Sequence, residues 1–157
     1  MTNDLRKEFW DRMDDVRSGM LGATGARSVP MSHFVDDDTP GTLWFITAKG
    51  TDIAKSAASG AEAEYIVSSK DEHLYARIHG RITVSQDVAQ LDDIWNAFAA
   101  AWFEGDQNDP DIQLVRMDLS EAEVWMTDGN LKFLFDVARA NVTGKKPDMG
   151  QHGTLTF

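Results

Sequence analysis

Residues 74–84 constrain the fold most, because their side chains sort onto two faces throughout. Leu74, Ala76, Ile78, Gly80, Ile82 and Val84 alternate with Tyr75, Arg77, His79, Arg81 and Thr83. A period of two belongs to a β-strand with one face in a core and the other toward polar surroundings. Gly80 falls on the apolar face, mid-strand. A glycine there predicts a bulge or sharp bend, which a sheet needs in order to close into a barrel.

The neighbouring segments supply strands to pair with it. Strand-like runs occupy 20–24 and 28–35, with a turn at Gly25-Ala26, and Asp36-Asp37-Asp38-Thr39-Pro40-Gly41 is a second turn. The apolar run Thr42-Leu43-Trp44-Phe45-Ile46-Thr47 follows, then an Ala-rich helix over 51–60 and a strand over 61–69. Two further strands are expected at 112–117 and 122–127. A hairpin turn at Asp128-Gly129-Asn130 leads into 131–142. Two longer helices frame these strands. In the first, Leu5, Phe9, Met13, Val16 and Met20 recur at helical spacing behind a Thr2-Asn3-Asp4 cap, and Gly19 ends it. The second spans 87–103, with Val88, Leu91, Trp95, Phe98 and Trp102 on one stripe. Many strands and few helices, without regular alternation, predict an α+β, mainly β chain: an antiparallel split β-barrel with flanking helices. A single domain over 1–157 is expected, with 144–157 as a polar, mobile C-terminal arm.

Charge and composition narrow the function. The net charge is −11, a field that repels nucleic acid and anionic lipid. Cysteine is absent, which excludes thiol catalysis, disulfides and Cys-based zinc sites and suits a cytoplasmic protein. No apolar run approaches the ~18–20 residues of a membrane span. The charged N-terminus reads as helix and not as a signal peptide. The five Trp and eight Phe exceed what a core of this size needs, leaving some for an interface or a flat ligand.

Most candidate sites have a structural explanation. His33, His73, His79 and His152 lack metal-ligand spacing, so structural or solvated roles are expected and no metal site. The acidic stretches at 36–38 and 106–111 lack the ligand pattern of a calcium loop. There is no dinucleotide or P-loop glycine pattern. Two places remain. The Phe45-Ile46-Thr47 strand ends in a hydroxyl and runs into Lys49, Gly50 and Thr51, a setting for a phosphate beside a flat apolar ligand. Trp125, near a strand end before a turn, is a candidate to stack on a ligand ring.

Gly19-Met20-Leu21, Pro30-Met31, Trp44-Phe45-Ile46-Thr47 and Gly80 occur in an order shared by a known family. So do Ile94-Trp95-Asn96, Ala101-Trp102-Phe103, Asp109-Pro110, Ala122-Glu123-Val124-Trp125 and Thr143-Gly144-Lys145-Lys146. In these features the chain resembles the general stress protein 26 branch of the pyridoxamine 5′-phosphate oxidase-like split barrels. The resemblance implies a six-stranded barrel and a homodimer with two FMN sites at the subunit interface. It also implies that Phe45, Ile46 and Thr47 lie along the flavin ring through backbone groups, and that Trp125 reaches it from the partner. Basic residues at the next turn and on the preceding strand would hold the phosphate.

The chain departs from that pattern at both usual cations. The family commonly has Arg-Pro-Met where Val29-Pro30-Met31 stands, and Ser-x-Lys where Thr51-Asp52-Ile53 stands. Arg27, two residues before Val29, shares its strand face, and Lys49 and Lys55 flank the turn. The cofactor contacts are therefore expected at Arg27, Met31, Phe45, Ile46, Thr47, Lys49, Thr51, Lys55 and Trp125. The pyridoxamine phosphate oxidases also carry Arg-x-His after the matching Trp, and Asn130-Leu131-Lys132-Phe133-Leu134 has no His, which argues against that activity. The expected function is an FMN-binding, oxidoreductase-type flavoprotein. The alternative is a cofactor-free stress or ligand-binding protein of the same fold. An F420 or haem split barrel stands behind both, since the acidic balance opposes a long anionic tail.

Overall fold

The chain folds around one antiparallel sheet. The computed structural model describes residues 2–95, 109–127 and 151–157. Elements run in the order α1 (Thr2–Asp15), β1 (Gly19–Ala23), β2 (Ala26–Met31), β3 (His33–Phe34), β4 (Thr42–Ala48), α2 (Asp52–Ala58), β5 (Glu62–Ser69), β6 (Leu74–Ser85), α3 (Val88–Ile94), β7 (Ile112–Met126) and β8 (Gln151–Thr156). The sheet order is β2-β1-β5-β6-β7-β4-β3, with β8 paired to β7 off this path. β2 and β3 therefore stand at opposite ends of the order, yet only Ser32 separates them in sequence. One crossing stretch thus serves both edges and curls the sheet into the split barrel. Counting that stretch once gives the six expected strands, and β8 is an addition.

The central pair β6–β7 is in register from Leu74↔Met126 to Ser85↔Leu114, with one slip. His79 faces Glu121 and Gly80 faces Leu119, so Ser120 is an extra residue on β7. The bulge expected from Gly80 is there, but its extra residue lies on the partner strand. It also inverts the alternation. Val115, Met117 and Leu119 point into the core on one side, and Ala122, Val124 and Met126 on the other. The two short strands expected at 112–117 and 122–127 are one strand for this reason. Its free edge is shared, with β4 on 112–118 and β8 on 121–126.

Three further expectations change. Met20 belongs to β1 and is exposed, because α1 ends at Asp15. The helix expected over 87–103 ends at Ile94: Trp95 is its C-cap, in extended backbone. Its continuation through Phe98 and Trp102, the turn at 128–130, the segment 131–142 and residues 144–150 lie outside the described residues. The end of the expected mobile arm is strand β8, with Leu155 fully buried.

The barrel interior holds the core. Leu43, Phe45, Tyr65, Ile78, Ile82, Val115 and Met117 are fully buried, each apolar side chain worth roughly 1.5–3 kcal/mol. Phe9 and Met13 of α1, and Val16 just past its end, pack into the same cluster. Phe157 closes it beside Phe9 and Trp10, and the Arg6 guanidinium donates to the Thr156 carbonyl at 2.6 Å. The two ends of the chain are thereby tied together.

Candidate functional site

The β4–α2 connection is built by local hydrogen bonding. Lys49 N–H donates to the Asp111 carbonyl at 2.7 Å, which carries the β4–β7 ladder past the strand end. Gly50 then turns the chain at φ +86°, with open space where a Cβ would stand. Thr51 caps α2: its hydroxyl accepts from Ala54 N–H at 3.2 Å and donates to the Ala48 carbonyl at 3.0 Å. The Thr47 hydroxyl, 3.1 Å away, donates to it in turn. Both hydroxyls expected at a phosphate are thus engaged in holding the turn. The Lys49 side chain stands exposed beside them, and no ion pair engages it among the described residues.

Next to this turn β4 is an edge among the described residues: β3 pairs with it only at His33↔Phe45 and Phe34↔Trp44, and no other described strand lies on that side beyond Phe45. The Ala48 carbonyl there is already taken by the Thr51 N–H and hydroxyl. Phe45 is fully buried with its ring against Tyr65, so it can meet a ligand outside the barrel only through its backbone. Ile46 lies on the outer face, against Trp44, Ile94 and Leu114.

The other expected residues are dispersed. Met31, at the end of β2, is half-buried against the core. Lys55 is exposed on α2. Arg27 lines a shallow depression with Ser28, Glu62, Glu64 and His79, where two carboxylates compete with any anion. Ile53 is buried at 3% exposure, so a cation at this position would sit in the core and not at a phosphate. Trp125 lies on β7 twelve residues from Gln113, which faces Thr47. That is about 40 Å of strand, so it does not join Lys49 within one protomer.

Sequence reading missed two groupings. His152 on β8 stacks on the Trp125 ring at 5.0 Å and 9°, with its Nε2 3.1 Å from Glu123. Glu123 also takes the Arg77 guanidinium, and these two partners hold its carboxyl below its usual range. A residue 27 positions downstream gives no local signal of this stacking; only the β7–β8 register supplies it. The second grouping is buried. His33 places Nδ1 2.8 Å from the Tyr65 hydroxyl and Nε2 2.9 Å from the Met13 carbonyl. The same Tyr65 hydroxyl stands 3.0 Å from the Met31 carbonyl. Burial pulls the imidazole down to about 4 and pushes the phenol up. Among the described residues no group of three or more His, Asp or Glu could hold a metal ion, and no helix is long and apolar enough to cross a membrane.

The sequence profile of the pyridoxamine 5′-phosphate oxidase-like proteins matches residues 4–148. The chain belongs to that family. It falls in the general stress protein 26 branch. A structure named for general stress protein 26 of Jannaschia sp. CCS1 is 48% identical over the whole of both chains, with a TM-score of 0.85. The general stress FMN/FAD binding protein of Xanthomonas citri is 32% identical over 82% of this chain and 93% of its own, at 0.74. A general stress family protein of Xanthomonas campestris pv. campestris is 31% identical over 83% and 92%, at 0.73. No curated protein matches the chain.

Proposed function

We propose that this split barrel binds FMN along the open edge of β4, in a homodimer, and serves as a flavin-dependent oxidoreductase. The observation that carries the reading is the β4 edge past Phe45, which no other described strand covers, beside Lys49, which no described residue pairs. A flat heterocycle carries donors and acceptors on its rim, which peptide groups at a strand edge can meet while Met31 and Ile46 offer apolar contact. Lys49, next to open space at Gly50, supplies charge for the phosphate. These residues fit the ring and one phosphate cation. When bound, FMN supplies reversible hydride or single-electron transfer. The protein's part is to orient the ring with backbone groups and to offset phosphate charge against a field of −11.

A second copy would complete the site. Met20 and Ile66 are each 42% exposed and face one another across the sheet, and Met20 also faces Pro30. This apolar pair adjoins the strand that carries Met31, and a second copy covering it, with the partner's Trp125 reaching the flavin as the family pattern implies, is part of the proposal. The cofactor-free alternative draws on Val29 and Ile53, which leave both usual cation positions apolar.

Flavin titration followed by fluorescence, with light scattering on the same sample, tests the reading. Lys49→Ala should weaken FMN about tenfold to a hundredfold, the worth of one charge-assisted bond, and leave riboflavin nearly unchanged. A native chain that binds neither flavin supports the cofactor-free protein, and a stable monomer removes the interfacial site.

A further inference from the structure

Three contacts meet at the His33–Tyr65 pair, and each needs a hydrogen between its atoms: Nε2 with the Met13 carbonyl, Nδ1 with the Tyr65 oxygen, and that oxygen with the Met31 carbonyl. A neutral imidazole brings one N–H and the phenol one O–H. His33 is only 7% exposed and Tyr65 fully buried, and atoms 2.8–3.0 Å apart leave no room for a water between them. Burial also keeps the imidazole uncharged at ordinary pH. One of the three contacts is therefore without a hydrogen, and the tautomer of His33 together with the direction of the Tyr65 O–H decides which.

The groups involved sit at a seam. Met13 is in the last turn of α1, where carbonyls lack partners within the helix. Met31 and His33 flank Ser32, the one residue by which the chain crosses from one edge of the sheet to the other. With hydrogen on Nε2, the ring caps α1, the Tyr65 hydroxyl donates to Nδ1, and the Met31 carbonyl goes without. With hydrogen on Nδ1, Tyr65 is free to hold Met31, but a bare Nε2 lone pair faces the Met13 carbonyl.

We propose that His33 is a tautomeric toggle which caps α1 or, through Tyr65, fixes the β2–β3 crossover at Met31, but does not do both. The resting position is the Nε2–H form. The contact it gives up is the longest of the three at 3.0 Å, and the negative end of α1 favours an N–H directed at it. Whatever moves the crossover is felt at the end of α1, and the reverse.

The test reads the Met31 carbonyl and the ring directly, at neutral pH and without any flavin. The protein is labelled with ¹³C at the methionine carbonyls and ¹⁵N in histidine. The native His33 should show the Nε2–H pattern of nitrogen shifts. In His33→Gln the side-chain amide can still donate to Met13 while Tyr65 has lost Nδ1, so its hydroxyl turns to Met31. The Met31 carbonyl signal should move downfield as it gains a hydrogen bond, whereas Tyr65→Phe should leave it near the native position. A Met31 signal that is the same in the native chain and His33→Gln, or a native ring in the Nδ1–H form, overturns the proposal. Amide spectra that keep their native dispersion establish that each variant is folded. Should His33→Gln not fold, the native tautomer and the Tyr65→Phe comparison decide: a Met31 shift upfield in Tyr65→Phe means the native hydroxyl already held Met31, which also overturns it.

Discussion

Replacing Gly80 by alanine tests the barrel's construction where sequence and structure meet. A Cβ at this position would lie 2.3 Å from the Asp118 carbonyl oxygen, 3.0 Å from its carbon and 3.1 Å from Leu119 Cα. All three are backbone atoms of the adjoining strand at the bulge, so no side chain can rotate away. Ordinary contact begins near 3.4 Å, and β7 would have to retreat by about 1 Å where it pairs with β6. Gly80 is not among the glycines with positive φ, so the cost is one of contact and not of dihedral angle. Overpacking of this kind costs about 1–3 kcal/mol, and the upper end applies because the obstacle is backbone. In a chain of this length 1 kcal/mol shifts the melting temperature by roughly 2–4 °C, so Gly80→Ala should melt about 6–12 °C lower. Gly153→Ala is the control: its Cβ would meet only the end of the Leu5 side chain, at 2.9 Å, and a shift of about 2 °C or less is expected. Thermal unfolding by circular dichroism measures both. If Gly80→Ala melts no lower than Gly153→Ala, close approach of β7 is not what requires glycine there, and the account of the bulge fails.

Leu155→Ala should destabilise by about 2–5 kcal/mol in urea unfolding, because Leu155 is fully buried on a strand that would be dispensable in a mobile arm. Ile53→Lys should lower the unfolding free energy by about 2–5 kcal/mol without strengthening FMN binding, since the residue is in the core; Val29→Arg, on an exposed position, should be tolerated in the same assay. His33 makes stability depend on pH. Its ordinary value of 6.5 falls to about 4 in the folded chain, so the unfolded chain binds more protons between them and stability drops as pH falls through that window. The loss approaches about 3 kcal/mol near pH 4. His33→Gln should flatten that part of a urea-midpoint profile, and an unchanged slope would exclude His33 as its source.

How much could be read in advance depended on how local each signal was. The alternation through 74–84 and the Gly80 break placed the central strand and its irregularity, because a two-residue period reports burial directly. The bulge hid the continuity of β7: an extra residue at Ser120 reverses the parity, and a reversed parity reads as two strands. Gly19 was expected to end the first helix, which stops at Asp15, and Met20, which continued its apolar spacing, lies exposed in β1. At the candidate site, the turn chemistry of Thr47, Lys49, Gly50 and Thr51 was legible from residue types. Their actual engagement was not, since both hydroxyls are used up within the turn.

The sequence by itself determined that this chain has a mainly β fold with a break at Gly80, carries a strongly acidic surface and contains no thiol chemistry. The order of the family's motifs along the chain pointed to the split barrel. Only the tertiary structure decided which side chains face one another across strands. It set Ile53 into the core, laid His152 on Trp125, and left β4 past Phe45 without a second strand beside it among the described residues. It also gathered Met13, Met31, His33 and Tyr65 around too few hydrogens. The physical reason is that periodicity encodes which face of an element is buried, whereas register between distant strands is fixed by the closure of the whole sheet.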